Sequence, residues 1–210
     1  MVKVTGPMMS LDASGTVAGT VTFSKWKGRN YVRQRVKPHN PKSVMQISMR
    51  AMMKFLSQSW AAVTAPDKAS WEDKADARAI STFNAYVSEN QNGWRNFDAP
   101  KTDEAQATNR EPDDWTSYTA TPGVREMLLT LTTDGNESVN WGCIIYRSTT
   151  TGFTPSLSNV IAVIHSELNT EVMTYSDGPL EADDYYYQAQ MFSIDGVFGA
   201  LSTQFTGEIT

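Results

Sequence analysis

Residues 184–193, Asp-Tyr-Tyr-Tyr-Gln-Ala-Gln-Met-Phe-Ser, run into the turn signal Asp195-Gly196 and then into a second short segment through Phe198, Leu201 and Phe205. Apolar and polar side chains alternate over 185–193 and 197–206, the period of a strand that buries one face. The same reading carries upstream. Short alternating segments recur at 124–132, 139–147, 159–166 and 171–176, separated by Asp134-Gly135-Asn136, Thr151-Gly152 and Asp177-Gly178-Pro179. Short strands at that spacing, punctuated by glycine turns, predict an all-β sandwich over residues 118–210.

Working back toward the N-terminus, the period changes. Residues 10–37 read as β-structure: Val17, Val21 and Phe23 alternate with Thr20 and Thr22, and Lys27-Gly28-Arg29-Asn30 is a hairpin turn that returns through Tyr31 to Val36. On the returning strand Arg33 and Arg35 share one face, and Val32, Gln34 and Val36 the other. Lys25 and Lys27 approach the turn with the same two-residue spacing, so the expected hairpin carries a cationic strip with Trp26 and Tyr31 beside it. Pro38 and Pro41 end the strand, and Ser43 stands as the expected N-cap of a helix. Val44, Ile47, Met52, Phe55, Leu56 and Val63 follow at helical spacing, which assigns Met45, Met49, Met52 and Met53 to core packing rather than to a binding surface. Thr64-Ala65-Pro66-Asp67 opens a second helix through Trp71, Ala75 and Ala79, and Ser81 a third with Phe83, Tyr86, Val87 and Trp94 on one stripe.

Between the halves, residues 98–115 hold almost no apolar side chain before Trp115 and two prolines, which reads as a linker. The expected organisation is therefore an α+β N-terminal module, a β-hairpin plus three short helices, over residues 1–97; a linker over 98–117; and the sandwich over 118–210.

Charge follows the same division. Residues 1–97 hold 14 Lys+Arg against 6 Asp+Glu, a net of +8; residues 98–210 hold 4 against 17, a net of −13, which gives the chain's −5. From 24 to 54 there are nine basic residues and no acid. Such sorting points to a basic module that docks on an acidic surface and an acidic module that stays in water.

Enzyme chemistry finds little footing. His39 and His165 lie in different halves, and Cys143 is the lone cysteine, expected to be a small buried hydrophobe. No phosphate-cradling glycine loop and no nucleophile elbow occurs, and the Asp183-Asp184 pair reads as solvated turn carboxylates. No cofactor, metal or catalytic residue is expected. There is no apolar run long enough to cross a membrane and no secretory h-region, so a cytoplasm is the expected place of synthesis and assembly.

Two resemblances join this reading. Leu180 with Tyr185-Tyr186-Tyr187-Gln188-Ala189, then Asp195-Gly196 and Ala200-Leu201-Ser202, is similar to the corner and following strand of fibronectin type III domains; Trp141, Ile145 and Tyr146-Arg147-Ser148 resemble the family's middle strands. The resemblance implies that Tyr185 is the corner tyrosine, with Tyr187, Ala189 and Met191 pointing inward. The turn after Leu180 is one residue shorter than in the family and lacks its Pro-Gly. The N-terminal half resembles a family of small virion-associated proteins of tailed bacteriophages. That likeness rests on Ser14-Gly15-Thr16-Val17-Ala18-Gly19, Trp26-Lys27-Gly28-Arg29-Asn30-Tyr31-Val32-Arg33, Asn40-Pro41-Lys42-Ser43 with Gln46 and Arg50, Trp60 and Trp71, and Ser81-Thr82-Phe83-Asn84-Ala85-Tyr86.

Together these imply a virion structural protein, a capsid decoration or cement protein assembled in the host cytoplasm, whose basic module docks on a major capsid or other virion protein while the immunoglobulin-like module projects. The expected partner-binding residues are Lys25, Trp26, Lys27, Arg29, Tyr31, Arg33, Arg35 and Lys37. A homo-oligomer on the particle stays open, as does a host-surface glycan bound by tyrosines and phenylalanines of the sandwich in an adhesin or fibre. Binding of nucleic acid by the basic ribbon is the other alternative, opposed by the acidic remainder of the chain; no membrane partner is expected.

Overall fold

The computed structural model describes residues 15–27, 29–36, 42–105, 108–135, 139–166 and 172–210. The chain divides into two units, residues 1–41 and 42–210.

The first unit is a three-stranded antiparallel sheet in the order β1-β2-β3, from β1 (Gly15–Val17), β2 (Val21–Trp26) and β3 (Arg29–Gln34). Trp26 pairs with Arg29, which leaves a two-residue turn, and Lys27 there takes a φ of 47°. Two-residue turns of positive φ match the twist of the strands they join. The hairpin expected at Lys27–Asn30 is present, one pairing tighter than the sequence suggested. No described side chain of this unit is buried.

The second unit opens with α1 (Val44–Ser59), whose stripe of Met52, Phe55, Leu56 and Ser59 is buried as the spacing predicts. The methionines divide: Met52 is buried and Met49 packs at the core's edge, whereas Met45 and Met53 are exposed. Ser43 precedes α1 without a side-chain cap bond. The expected second helix is two, α2 (Ala65–Ser70) and α3 (Glu72–Arg78), divided at Trp71. Trp71 is buried, and its indole Nε1 donates to the carbonyl of Thr102 at 2.7 Å, so packing fixes the kink that the local sequence does not announce. Thr64 caps α2 by accepting the Asp67 N–H at 3.3 Å, and Ser81 caps α4 (Thr82–Arg95) by accepting that of Asn84 at 3.2 Å.

Eight strands follow: β4 (Trp115–Pro122), β5 (Met127–Thr133), β6 (Asn140–Ser148), β7 (Val160–His165), β8 (Val172–Asp177), β9 (Asp183–Ser193), β10 (Phe198–Leu201) and β11 (Phe205–Ile209). They form a three-stranded antiparallel sheet, β4-β5-β8, and a five-stranded one, β10-β9-β6-β7 with β11 also paired to β9. The fold is thus mixed α+β.

The five-stranded sheet is covered on both faces. Met127, Leu129 and Leu131 of β5 meet Cys143, Ile145, Tyr187, Ala189 and Met191 in one core. On the opposite face Trp141, Ile144, Tyr146 and Phe192 join Phe55, Trp71, Tyr86 and Trp94 of the helices in another. The order of layers is helices, five strands, three strands. Gly142 lies at the helix–sheet contact: a Cβ there would sit 2.5 Å from Phe192 Cζ and 2.8 Å from Phe55 Cε2, so only hydrogen fits.

This differs from the expected split into 1–97 and 118–210 around a linker. The helices complete the core of the five-stranded sheet, and the boundary lies at Pro41–Lys42. Nor do the described residues of 98–117 hang free. Lys101 N–H donates to Asn90 Oδ1 at 2.8 Å, Thr102 N–H to the carbonyl of Ile194 at 3.0 Å, and Asp113 N–H to the buried Asn140 at 2.9 Å. β4 begins within the segment read as linker. Its polar composition reflects bonds to neighbours rather than solvation.

Candidate functional site

In an antiparallel pair, directly opposed residues project from the same face. The pairs Trp26–Arg29, Ser24–Tyr31 and Thr22–Arg33 therefore share one face of the first sheet, and alternation adds Arg35, whose N–H donates to the carbonyl of Thr20 at 2.7 Å. Thr16, opposite Thr22 on β1, shares a hydroxyl–hydroxyl bond with it at 3.1 Å, which ties the third strand to the same face. This is a strip of three guanidinium groups interleaved with two aromatic rings. Trp26 is 65% exposed and Tyr31 39%, and Lys27 Nζ sits 4.8 Å from the centroid of the Trp26 ring. A cation that close to an indole face is held by the ring quadrupole.

Lys25 stands apart. Paired with Asn30, it projects with Phe23 and Val32 from the opposite, more apolar face, so it does not extend the strip as its spacing to Lys27 suggested. Lys37 lies outside the described residues. The acid-free run of 24–54 is also divided by the unit boundary: Lys42, Arg50 and Lys54 belong to the second unit, where they rim a groove of about 350 Å³ between α1 and β7 over Ile47, Ala51 and Ile161. Charge redrawn at the boundary is sharper. Residues 1–41 carry 7 Lys+Arg against 1 Asp, a net of +6, and residues 42–210 carry 11 against 22, a net of −11.

In the second unit a cavity of about 380 Å³ lies between the loop before α2 and the ends of β6, β7 and β9, lined by Val63, Asp67, Trp141, His165, Ser166 and Ile194 among others. Sequence reading did not find it, because its walls come from segments a hundred residues apart. A smaller cavity of about 110 Å³ shares Asp67, Thr102 and Ile194 with it and holds Arg110 and Asp195. Asp195 accepts from Arg110 Nε at 2.8 Å and Nη2 at 2.9 Å, and from the Thr108 hydroxyl at 2.6 Å. The Arg110 guanidinium, more than any other neighbour, holds its carboxyl down to about 2.

Two further clusters are structural. Asp177 of β8 takes Arg147 Nη1 of β6 at 2.7 Å and the Tyr187 hydroxyl of β9 at 2.9 Å, bridging the two sheets, and burial pushes the Tyr187 phenol up. Cys143 is fully buried, and burial pushes its thiol up as well, away from the thiolate a nucleophile needs. Among the described residues no group of three or more His, Cys, Asp or Glu could hold a metal ion, and no helix is long and apolar enough to cross a membrane.

No protein-family model matches the sequence. Among curated proteins no match was found either. A search of solved structures finds a similarity to a β-1,2-glucanase from Parabacteroides distasonis at 16% identity and a TM-score of 0.33, over 46% of this chain and 13% of that one. A likeness that slight carries no argument about fold or activity.

Proposed function

We propose that this chain is a virion structural protein, a capsid decoration or cement protein, that docks through the cationic face of its first sheet and projects its acidic second unit. The observation that carries the reading is the coincidence of charge and architecture: a net of +6 and a net of −11 meet at the boundary between units. Arg29, Arg33 and Arg35 with Trp26 and Tyr31 supply what an acidic protein lattice would require, namely forked guanidinium donors for carboxylates and aromatic anchors that exclude water. Arginine and aromatic residues are the types enriched where interfaces concentrate their energy. The role asks for no catalysis and no cofactor, and its place is the particle.

For the second unit we propose a fibronectin type III-like arrangement within the strand layers. It is supported by the strand order, β4-β5-β8 against β10-β9-β6-β7, and by Tyr185, whose hydroxyl donates to the carbonyl of Glu181 at 3.1 Å in the manner of a tyrosine corner. The helical layer over the five-stranded sheet is an addition to such a domain.

The test is attachment. Arg29→Glu with Arg33→Glu reverses the strip without touching a buried side chain, so melting of the second unit is expected to be unchanged while the protein no longer co-sediments with particles. Stoichiometric recovery of the double variant on particles would refute the docking face. Binding to naked DNA that falls steeply between about 50 and 200 mM salt would instead favour the nucleic-acid reading of the same strip.

A further inference from the structure

The cavity beside α2 differs from a packing defect in three respects. Its volume of about 380 Å³ falls within the range of small-molecule sites, and Val63, Trp141 and Ile194 give it apolar walls. Ser166, 4% exposed, lines it with a hydroxyl that has no hydrogen-bond partner. A buried hydroxyl without a partner costs stability, which an arriving hydrogen-bonding group would recover. Among the described lining residues Asp67 supplies the carboxylate, and no Lys or Arg is present.

Other polar groups in the wall are engaged with the protein itself. Asn140 is bonded to Asp113 in both directions, Thr64 Oγ1 accepts the Asp67 N–H at 3.3 Å, and Thr102 Oγ1 donates to the carbonyl of Ile194 at 3.3 Å. Recognition therefore falls to an apolar slot, one buried hydroxyl, one carboxylate and the exposed His165 ring, which packs 4.7 Å from the Phe55 ring. That set disfavours phosphates and carboxylates, which would meet Asp67 with no Lys or Arg among the described lining residues to offset it. It also disfavours sugars, whose many hydroxyls would lie unpaired against Val63 and Ile194.

We infer that this cavity binds a small organic cation, a flat apolar ring bearing an amine. The ring lies between Trp141, Val63 and Ile194, a polar ring atom pairs with Ser166 Oγ, and the ammonium faces Asp67. The site is distinct from the cationic sheet and lies wholly within the second unit. It neither requires particle docking nor is refuted if docking fails.

The full chain is titrated calorimetrically with tryptamine, indole and indole-3-acetate, which share a ring and differ in charge. Tryptamine is expected to bind at least about tenfold more tightly than indole-3-acetate, as a charge-assisted bond would provide. Asp67→Asn should erase most of that preference while leaving indole affinity unchanged, and Ser166→Ala should weaken tryptamine and indole alike. Ala62→Trp, at an exposed position on the rim, should plug the cavity and abolish binding without lowering the melting temperature. Absence of tryptamine binding, equal affinity for the two opposite charges, or full binding by a folded Ala62→Trp variant would each overturn the assignment.

Discussion

Asp195 shows how one side chain holds two distant pieces of chain. Its carboxylate takes both a guanidinium fork and a backbone N–H from Arg110, closing a stretch that composition alone reads as solvated. The native state lowers its pKa from an ordinary 3.8 to about 2, so the folded form favours the ionised group. Stabilisation from this pair is therefore nearly complete above about pH 4 and is lost as the pH falls through about 2, because only below that value is the carboxyl protonated in both states. Asp195→Asn should lower the melting temperature at pH 7, by an amount that shrinks as the pH falls through about 2 and vanishes below it. A constant difference across that range would mean the shift does not stem from the Arg110 pair. Glycine 142 is the opposite case, a position defined by what it lacks: its missing side chain is the space that Phe55 and Phe192 occupy.

At the scale of elements, the contact of α1 with the five-stranded sheet decides how the second unit melts. Phe55 sits 5.0 Å from the Trp141 ring and 5.2 Å from the Phe192 ring, both edge-on, and is 1% exposed. Truncating a buried phenylalanine costs about 3–5 kcal/mol. If helices and strands form one core, Phe55→Ala lowers a single transition seen equally by far-UV and near-UV circular dichroism. Two separated transitions, with the strands unmoved, would restore the division at residues 97–118. The sequence did carry a sign of the second layer. Trp141-Gly142-Cys143-Ile144-Ile145-Tyr146 is an unbroken apolar run, buried at every position, where the alternation expected over 139–147 would leave one face in water. A strand apolar on both faces is covered on both faces, and the amphipathic stripes of α1 and α4 are what cover this one. Periodicity and capping residues thus made the helices and most strands legible. The kink at Trp71 and the anchoring of 98–115 were not, because both depend on partners far away in sequence, such as Thr102 for Trp71 and Asp195 for Arg110. The strip on the first sheet was half legible: alternation along the returning strand placed Arg33 and Arg35 together, while the places of Arg29, Tyr31 and Lys25 required the strand register.

For the whole molecule, the boundary at Pro41 sets what a protease sees. Lys25, Lys27, Arg29, Arg33 and Arg35 are exposed on a sheet with no buried side chain among its described residues, whereas Lys101 and Arg110 are bonded into the second unit. Brief trypsin treatment should remove the first unit and leave one resistant fragment that begins near residue 43 and runs to the C-terminus. Early cleavage at Lys101 or Arg110 would contradict this arrangement.

A sheet whose described side chains all keep contact with water also ties folding to occupancy. Phe23 and Val32 keep contact with water in the free chain, and Val32 is 59% exposed, so strand pairing and turn geometry carry much of what maintains β1–β3. Whatever binds this unit stabilises it by mass action, by about 2.7 kcal/mol at a hundredfold excess over the dissociation constant. Amide exchange over residues 21–34 should then slow in step with ligand saturation, while β6 and β9 exchange at one rate throughout. If the first sheet is the attachment region proposed above, it reports its own occupancy.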